Sequence, residues 1–206
     1  MQGIFRIKMD ALNQTTAAFK KLKELEYRVV LSAGQGKPLE QIVLNFRDED
    51  LFHILGLQHL SDIELPRNKK ALLSLIESGS ITEEYLSMSE KYDNESFGFN
   101  IRKRIEKAGK LEKYMDSKEF SVSVYRMQHD NRTFIRADYL ITCKRDEEEY
   151  YIFVRKRKES DTYGIVSCFL KGDVAYWGGK RYLMLKEKIK NGQSLELFRH
   201  PNYSET

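Results

Sequence analysis

Residues 150–170 read YYIFVRKRKESDTYGIVSCFL. Two runs rich in Tyr, Val, Ile and Phe flank a short polar stretch, RKRKESDT. Aromatic and β-branched residues favour strands, and a link this short joins antiparallel neighbours. The same pattern extends outward. FSVSVYRM precedes it, then FIRADYLITCKR after the turn QHDNRT, and KRYLMLK follows DVAYWGG. From residue 119 on, the spacing therefore predicts an antiparallel meander of about five strands.

The first part of the chain has a different period. Leu12, Ala18, Phe19, Leu22 and Leu25 recur at helical spacing, which predicts a helix over 10–25. Tyr27–Leu31 and Gln41–Phe46 read as two short strands around the turn SAGQGKP. A short helix follows, with Asp48 as its N-cap and Gly56 as its stop. Residues 67–118 alternate in charge and predict three helices, RNKKALLSLIESG, ITEEYLSMSEKY and SFGFNIRKRIEKAGKLEKYM. Helices first and a sheet afterwards give an α+β class: an N-terminal helix and short strands, a helical insert at 67–118, then a C-terminal antiparallel β-sheet. Residues 1–206 are read as one domain.

Composition narrows the function classes. The chain has 206 residues, 41% of them hydrophobic, which is enough apolar material for a core. No apolar run approaches the roughly 18–20 residues of a membrane span. The opening MQGIFRIKMDALNQ lacks a basic start followed by an apolar stretch, so no signal peptide and no membrane association are expected. Cys143 and Cys168 lie far apart without metal spacing, so a reduced, cytoplasmic protein without a metal or other cofactor is expected. Lys and Arg number 35 against 31 Asp and Glu, and a net charge of +4 permits nucleic acid without demanding it.

Several motifs invite chemistry. The GQGK of SAGQGKP lacks the Ser/Thr of a phosphate loop and precedes a strand, so it reads as a hairpin turn. His53 and His59 are six apart, which on an α-helix places them on different faces, and no HExxH occurs. There is no GxSxG elbow. His53 sits inside the apolar run LFHIL. Its bland reading is a hydrogen-bonded, half-buried histidine; its functional reading is a general acid/base. Arg155-Lys156-Arg157-Lys158 ends an apolar strand, so Arg155 and Arg157 share one face and Lys156 and Lys158 the other. They read either as a solvated strand end or as a phosphate clamp. Ser167 lies in the following strand. Lys180-Arg181-Tyr182 opens the last one, and eight of the twelve Tyr lie from 125 onward. Tyr beside basic residues suits either base stacking or an ordinary sheet.

The segment NFRDEDLFHILGL, residues 45–57, carries a strand, a polar link and F-H-[LI]-L-G-[LI]. This resembles the phage-type nuclease-like proteins related to barnase, EndoU, some colicins and RelE. YYIFVRKRK, GIVSCFL and KRYLMLKEKIK resemble the sheet of that group, notably of its firmicute-type branch. The likeness covers about 25–60 and 119–190.

The resemblance implies a barnase/EndoU/RelE-like sheet and a metal-independent endoribonuclease, a toxin or phage-defence effector. Such enzymes activate the ribose 2′-hydroxyl against the adjacent phosphate. His53 falls on the motif histidine as acid/base. Arg155 or Lys156 is the phosphate clamp, and Ser167 and Tyr182 position substrate or help with proton transfer, so that all five count as catalytic. Arg157, Lys180 and Arg181 are taken as substrate-binding. The substrate would be RNA, with tRNA one candidate, and the partner an antitoxin or inhibitor protein. Two other readings stay open: a non-catalytic module on the same fold that binds nucleic acid or a phage protein, and a homo-oligomeric scaffold.

Overall fold

The structure, a computed structural model, describes residues 10–94, 100–126, 135–172 and 175–204. The turn expected at QHDNRT, and the first residues of the third helix expected in the 67–118 region, lie outside them. The helices are α1 (Ala11–Leu22), α2 (Asp48–Ile54), α3 (Leu72–Glu77), α4 (Glu83–Ser87), α5 (Ile101–Ala108) and α6 (Leu111–Met115), with two single 3-10 turns at Leu57–His59 and Lys69–Ala71. The strands are β1 (Leu25–Ser32), β2 (Leu39–Asn45), β3 (Glu119–Tyr125), β4 (Tyr139–Arg145), β5 (Glu148–Lys156), β6 (Tyr163–Leu170), β7 (Gly178–Lys190) and β8 (Gln193–Arg199).

The eight strands run in the order β1-β2-β6-β5-β4-β3-β7-β8, and β1 also pairs with β7. That last pairing closes seven strands into a barrel and leaves β8 attached outside, on β7. The α+β class with a C-terminal antiparallel sheet is therefore corrected. The short N-terminal strands are staves of the barrel, and β2 meets β6 in parallel at Leu44↔Tyr163, so the barrel is mixed. The physical reason is β7. Its long run from Gly178 to Lys190 pairs with β3 through 178–181 and with β1 through 182–190. A reading of local periodicity cannot see a pairing between residues about 160 positions apart.

The hairpin around SAGQGKP is present, with β1 and β2 antiparallel over Glu26–Ser32. Alternation along the staves sends Tyr27, Val29, Leu31, Ile42, Leu44, Ile141, Ile152, Val154 and Ile165 into the main core. The helices share that core through Leu12, Leu51, Leu72, Ile76, Ile101 and Ile105. The other face of β3–β6 is also apolar. Tyr125, Leu140, Tyr151, Phe153 and Phe169 form a second cluster with Tyr176. This explains the unbroken YYIFV run, in which both faces of β5 are buried.

Candidate active site

The polar link before α2 fixes where that helix sits. The Arg47 N–H donates to Asp50 Oδ2 at 2.9 Å. The same carboxylate is gripped by both terminal nitrogens of Arg157, with Nη1 to Oδ1 at 3.1 Å. Arg157 also donates to the side chain and backbone oxygens of Asn45, at 2.9 and 3.0 Å. Asp50 and Arg157 are both buried, and a Cβ on Gly164 would come within 2.6 Å of the Arg157 Cζ. Burial is the largest influence on the Asp50 carboxyl and pushes its pKa up, against the pull of Arg157. This bidentate pair ties the start of α2 to the ends of β2 and β5. The helix then runs along β6.

Gly56 ends the helix in the left-handed region, φ 73°. A Cβ there would lie 2.1 Å from Nη1 of Arg104, so glycine is required by backbone and by packing. Past it the chain reverses into the Leu57–His59 turn.

His53, half-buried on the last turn of α2, lies 3.0 Å by its Nε2 from the Lys69 Nζ. An ammonium donates and does not accept, so the imidazole nitrogen facing it carries a lone pair and the ring is neutral. Its pKa is pushed down to about 4, chiefly by burial, then by Lys69 and Arg155. His59 is likewise held at about 4, by burial and then by Arg104, Lys91 and His53. The α-helical wheel that set the two histidines apart does not apply, because α2 stops at Ile54.

After burial, the side chains that act most on the two rings are cations: Lys69 and Arg155 on His53, Arg104 and Lys91 on His59. Such a cluster has one natural counter-ligand, an anion whose charge offsets all of them at once. A family model described as PBECR4, phage-Barnase-EndoU-ColicinE5/D-RelE like nuclease4, matches residues 12–195. The chain belongs to this family. No curated protein and no solved structure matches it. Membership in a nuclease-like family points to a nucleic-acid substrate.

Within this nuclease-like chain the expected residues separate. Lys69 contacts His53, and Arg155 is near enough to act on the ring electrostatically. Arg157 is occupied by Asp50 and Asn45. Ser167 is 4% exposed and accepts a hydrogen bond from Arg104 Nη2 at 3.1 Å. Lys156 projects from the opposite face of β5 and pairs with Asp161 at 2.9 Å. Arg181 pairs with Glu40, which also accepts from the Tyr139 hydroxyl at 3.1 Å. Tyr182 is exposed, with the Lys180 Nζ 5.6 Å from its ring centre.

Three participants were not foreseen: Lys69, His59 and Arg104. Arg104 is 3% exposed and lies 5.0 Å from the centre of the Phe169 ring. The sequence did hold a signal for it. Arg104 occupies the stripe of Ile101, Ile105 and Ala108, the face of α5 that is buried. Among the described residues no helix is long and apolar enough to cross a membrane, and no group of three metal-ligating side chains occurs.

Proposed function

We propose that the protein is a metal-independent endoribonuclease, folded as a single nuclease-like domain over 1–206, with the 67–118 helices as an insert that lends Lys69 and Arg104 to the site. The carrying observation is the contact between His53 Nε2 and the Lys69 ammonium at 3.0 Å, in a setting that keeps the ring neutral.

A scissile phosphate entering the cluster draws Lys69 and Arg155 to its non-bridging oxygens and frees Nε2. The imidazole then takes the proton of the 2′-hydroxyl as O2′ attacks phosphorus. The O2′–P bond forms, the P–O5′ bond breaks, and the leaving O5′ takes a proton, for which the Lys69 ammonium is the nearest donor to Nε2. Arg155 offsets the charge that builds on the pentavalent phosphate. A cell making such an enzyme needs restraint, which favours an antitoxin or inhibitor as partner; tRNA remains one candidate substrate.

The test is induced expression of wild-type and His53→Ala protein in bacteria, with growth and total small RNA followed together. Growth arrest with discrete fragments in the wild type only is expected. Fragments that persist in His53→Ala remove His53 from the mechanism. Intact RNA with both proteins turns the assignment to a non-catalytic binding module on the same fold.

A further inference from the structure

At one end of the barrel β1, β3 and β5 finish while β2, β4, β6 and β7 begin. The register ties these ends into one mouth, through the opposed pairs Leu31↔Glu40, Val124↔Gly179, Val124↔Tyr139 and Lys156↔Tyr163. Ile42, Val122, Ile141, Val154 and Ile165 belong to the main core. Glu40, Val124, Tyr139, Lys156 and Tyr163 each stand two residues nearer the mouth, so they project to the same inner side. An open cavity of about 440 Å³ lies here, and Val124, Asp138, Tyr139, Lys156 and Tyr163 are among its walls. The Tyr139 and Tyr163 rings meet edge to face, with centres 5.7 Å apart. The Tyr139 hydroxyl donates to Glu40 at 3.1 Å, and the Arg181 Nε–H lies 3.1 and 3.2 Å from the two oxygens of the same carboxylate. Asp138 Oδ2 accepts from the Lys156 N–H at 2.7 Å. Among the described residues, Asp138 Oδ1 and the Tyr163 hydroxyl make no hydrogen bond. Lys156 pairs with Asp161, and both side chains are exposed, so the ammonium exchanges partners at little cost.

Barrel mouths are a common place for small ligands. A purely anionic ligand here would meet Asp138, and a purely cationic one Lys156. A flat, neutral ring with donors and acceptors along its edge suits the whole lining. Its N–H donates to Asp138 Oδ1, its carbonyl or ring nitrogen accepts from the Tyr163 hydroxyl, and its plane extends the edge-to-face pair. A nucleobase is such a ring, and only an unpaired one leaves that edge free. The place of this base along the chain follows from β5. Arg155, which acts on the His53 ring, and Lys156 are consecutive, with Cα atoms about 3.8 Å apart and side chains on opposite faces. A nucleotide whose phosphate sits at the His53 cluster therefore meets the mouth on crossing the end of β5.

We propose that the barrel mouth is the base pocket for a nucleotide adjoining the scissile phosphate: Asp138 and Tyr163 read the edge of one unpaired base, and the Tyr139–Tyr163 pair packs against its ring. The proposal rests on the ribonuclease reading above and adds to it a specificity site separate from the histidine cluster.

The probes are inorganic phosphate, free nucleosides and 2′-O-methyl dinucleotides. Each dinucleotide holds one phosphate between two bases, lacks the attacking hydroxyl and is not consumed. Isothermal titration calorimetry should show at least one dinucleotide binding about tenfold tighter than phosphate, with about tenfold selectivity for the base at one of its two positions. Asp138→Asn keeps an oxygen for the Lys156 N–H but turns an acceptor-only group into an amide, and Tyr163→Phe keeps the ring without its hydroxyl. Each variant should lose most of that selectivity and keep its affinity for phosphate, and circular dichroism checks that each is folded. Dinucleotides that bind no tighter than phosphate, or variants as selective as wild type, overturn the base pocket and leave the His53 cluster standing. Nucleosides that bind as tightly as dinucleotides detach the mouth from the scissile phosphate and overturn the proposal as well. If no probe binds, phosphate included, the pocket and the phosphate site of the ribonuclease reading fall together.

Discussion

Gly56 joins two demands at one Cα. Its φ of 73° disfavours any side chain, and the Arg104 guanidinium occupies the place where a Cβ would stand. Gly56→Ala should lose about 1–2 kcal/mol for the left-handed backbone alone. It should lose more as Arg104 is driven off Ser167 and Phe169. Chemical denaturation checks the first part, and loss of RNA cleavage below the unfolding transition checks the second. A variant as stable as wild type would mean that Arg104 moves aside freely. At this scale the sequence was partly readable. LFHILG gave the titratable ring and the helix stop, because both are local features. Lys69, 16 positions on, was not readable, whereas Arg155, 102 positions away, was named beside His53 only through the family resemblance. Arg104 was overlooked because IRKRIEK looks solvated until its position on the apolar stripe is counted.

The helix α2 is held as an element by one buried ion pair. Removing one partner of such a pair leaves the other charged and unpaired, which typically costs about 3–5 kcal/mol. Asp50→Ala should be destabilised by about that much in urea. Arg157→Lys is the more informative change. It keeps the charge but cannot span Asp50 and Asn45 together, so α2 stays helical while its N-terminus loosens. The expected outcome is a fall in kcat for the proposed RNA cleavage with little change in KM, because His53 would be displaced while the cations proposed to bind phosphate stay. An unchanged kcat would show that Asn45 and Arg47 suffice to seat the helix. A second element-scale device is Lys186 on β7. Its buried ammonium donates to the carbonyls of Met115 and Ser117, at 2.9 and 2.7 Å, and lies 4.3 Å from the Phe120 ring centre. Burial lowers its pKa to about 8. Lys186→Met would strand two carbonyls at the end of α6 and should cost about 1–3 kcal/mol by the same measurement.

Taken whole, the molecule is a barrel whose strands were readable one at a time and whose closure was not. Five of the C-terminal strands, and the hairpin before them, follow from alternation and turn chemistry. The pairing of β1 with β7 follows only from the shape that seven twisted strands adopt together. Closure also concentrates charge. It buries two imidazoles beside α2 with cations nearby, and burial first, then those cations, sets a pH dependence of the whole fold. In the unfolded chain both histidines titrate near 6.5, and in the folded protein near 4. Between those values the unfolded chain binds protons that the folded chain refuses, so stability falls as pH drops from about 6.5 toward about 4. The paired carboxylates act lower. Glu40, Glu148 and Glu187 have pKa values below their ordinary 4.5, so their contribution is lost only as pH falls beneath that value. The two windows are separable. Urea midpoints at about pH 7 and about pH 5 should differ for the wild type and converge for a His53→Gln, His59→Gln double variant. Inorganic phosphate supplies the test of cause. Burial is the larger cause and a bound anion relieves only the cations' share, so phosphate at about pH 5 should recover part of the wild-type stability while barely moving the double variant. Equal restoration in both proteins would place the anion elsewhere and detach the histidine cluster from phosphate binding.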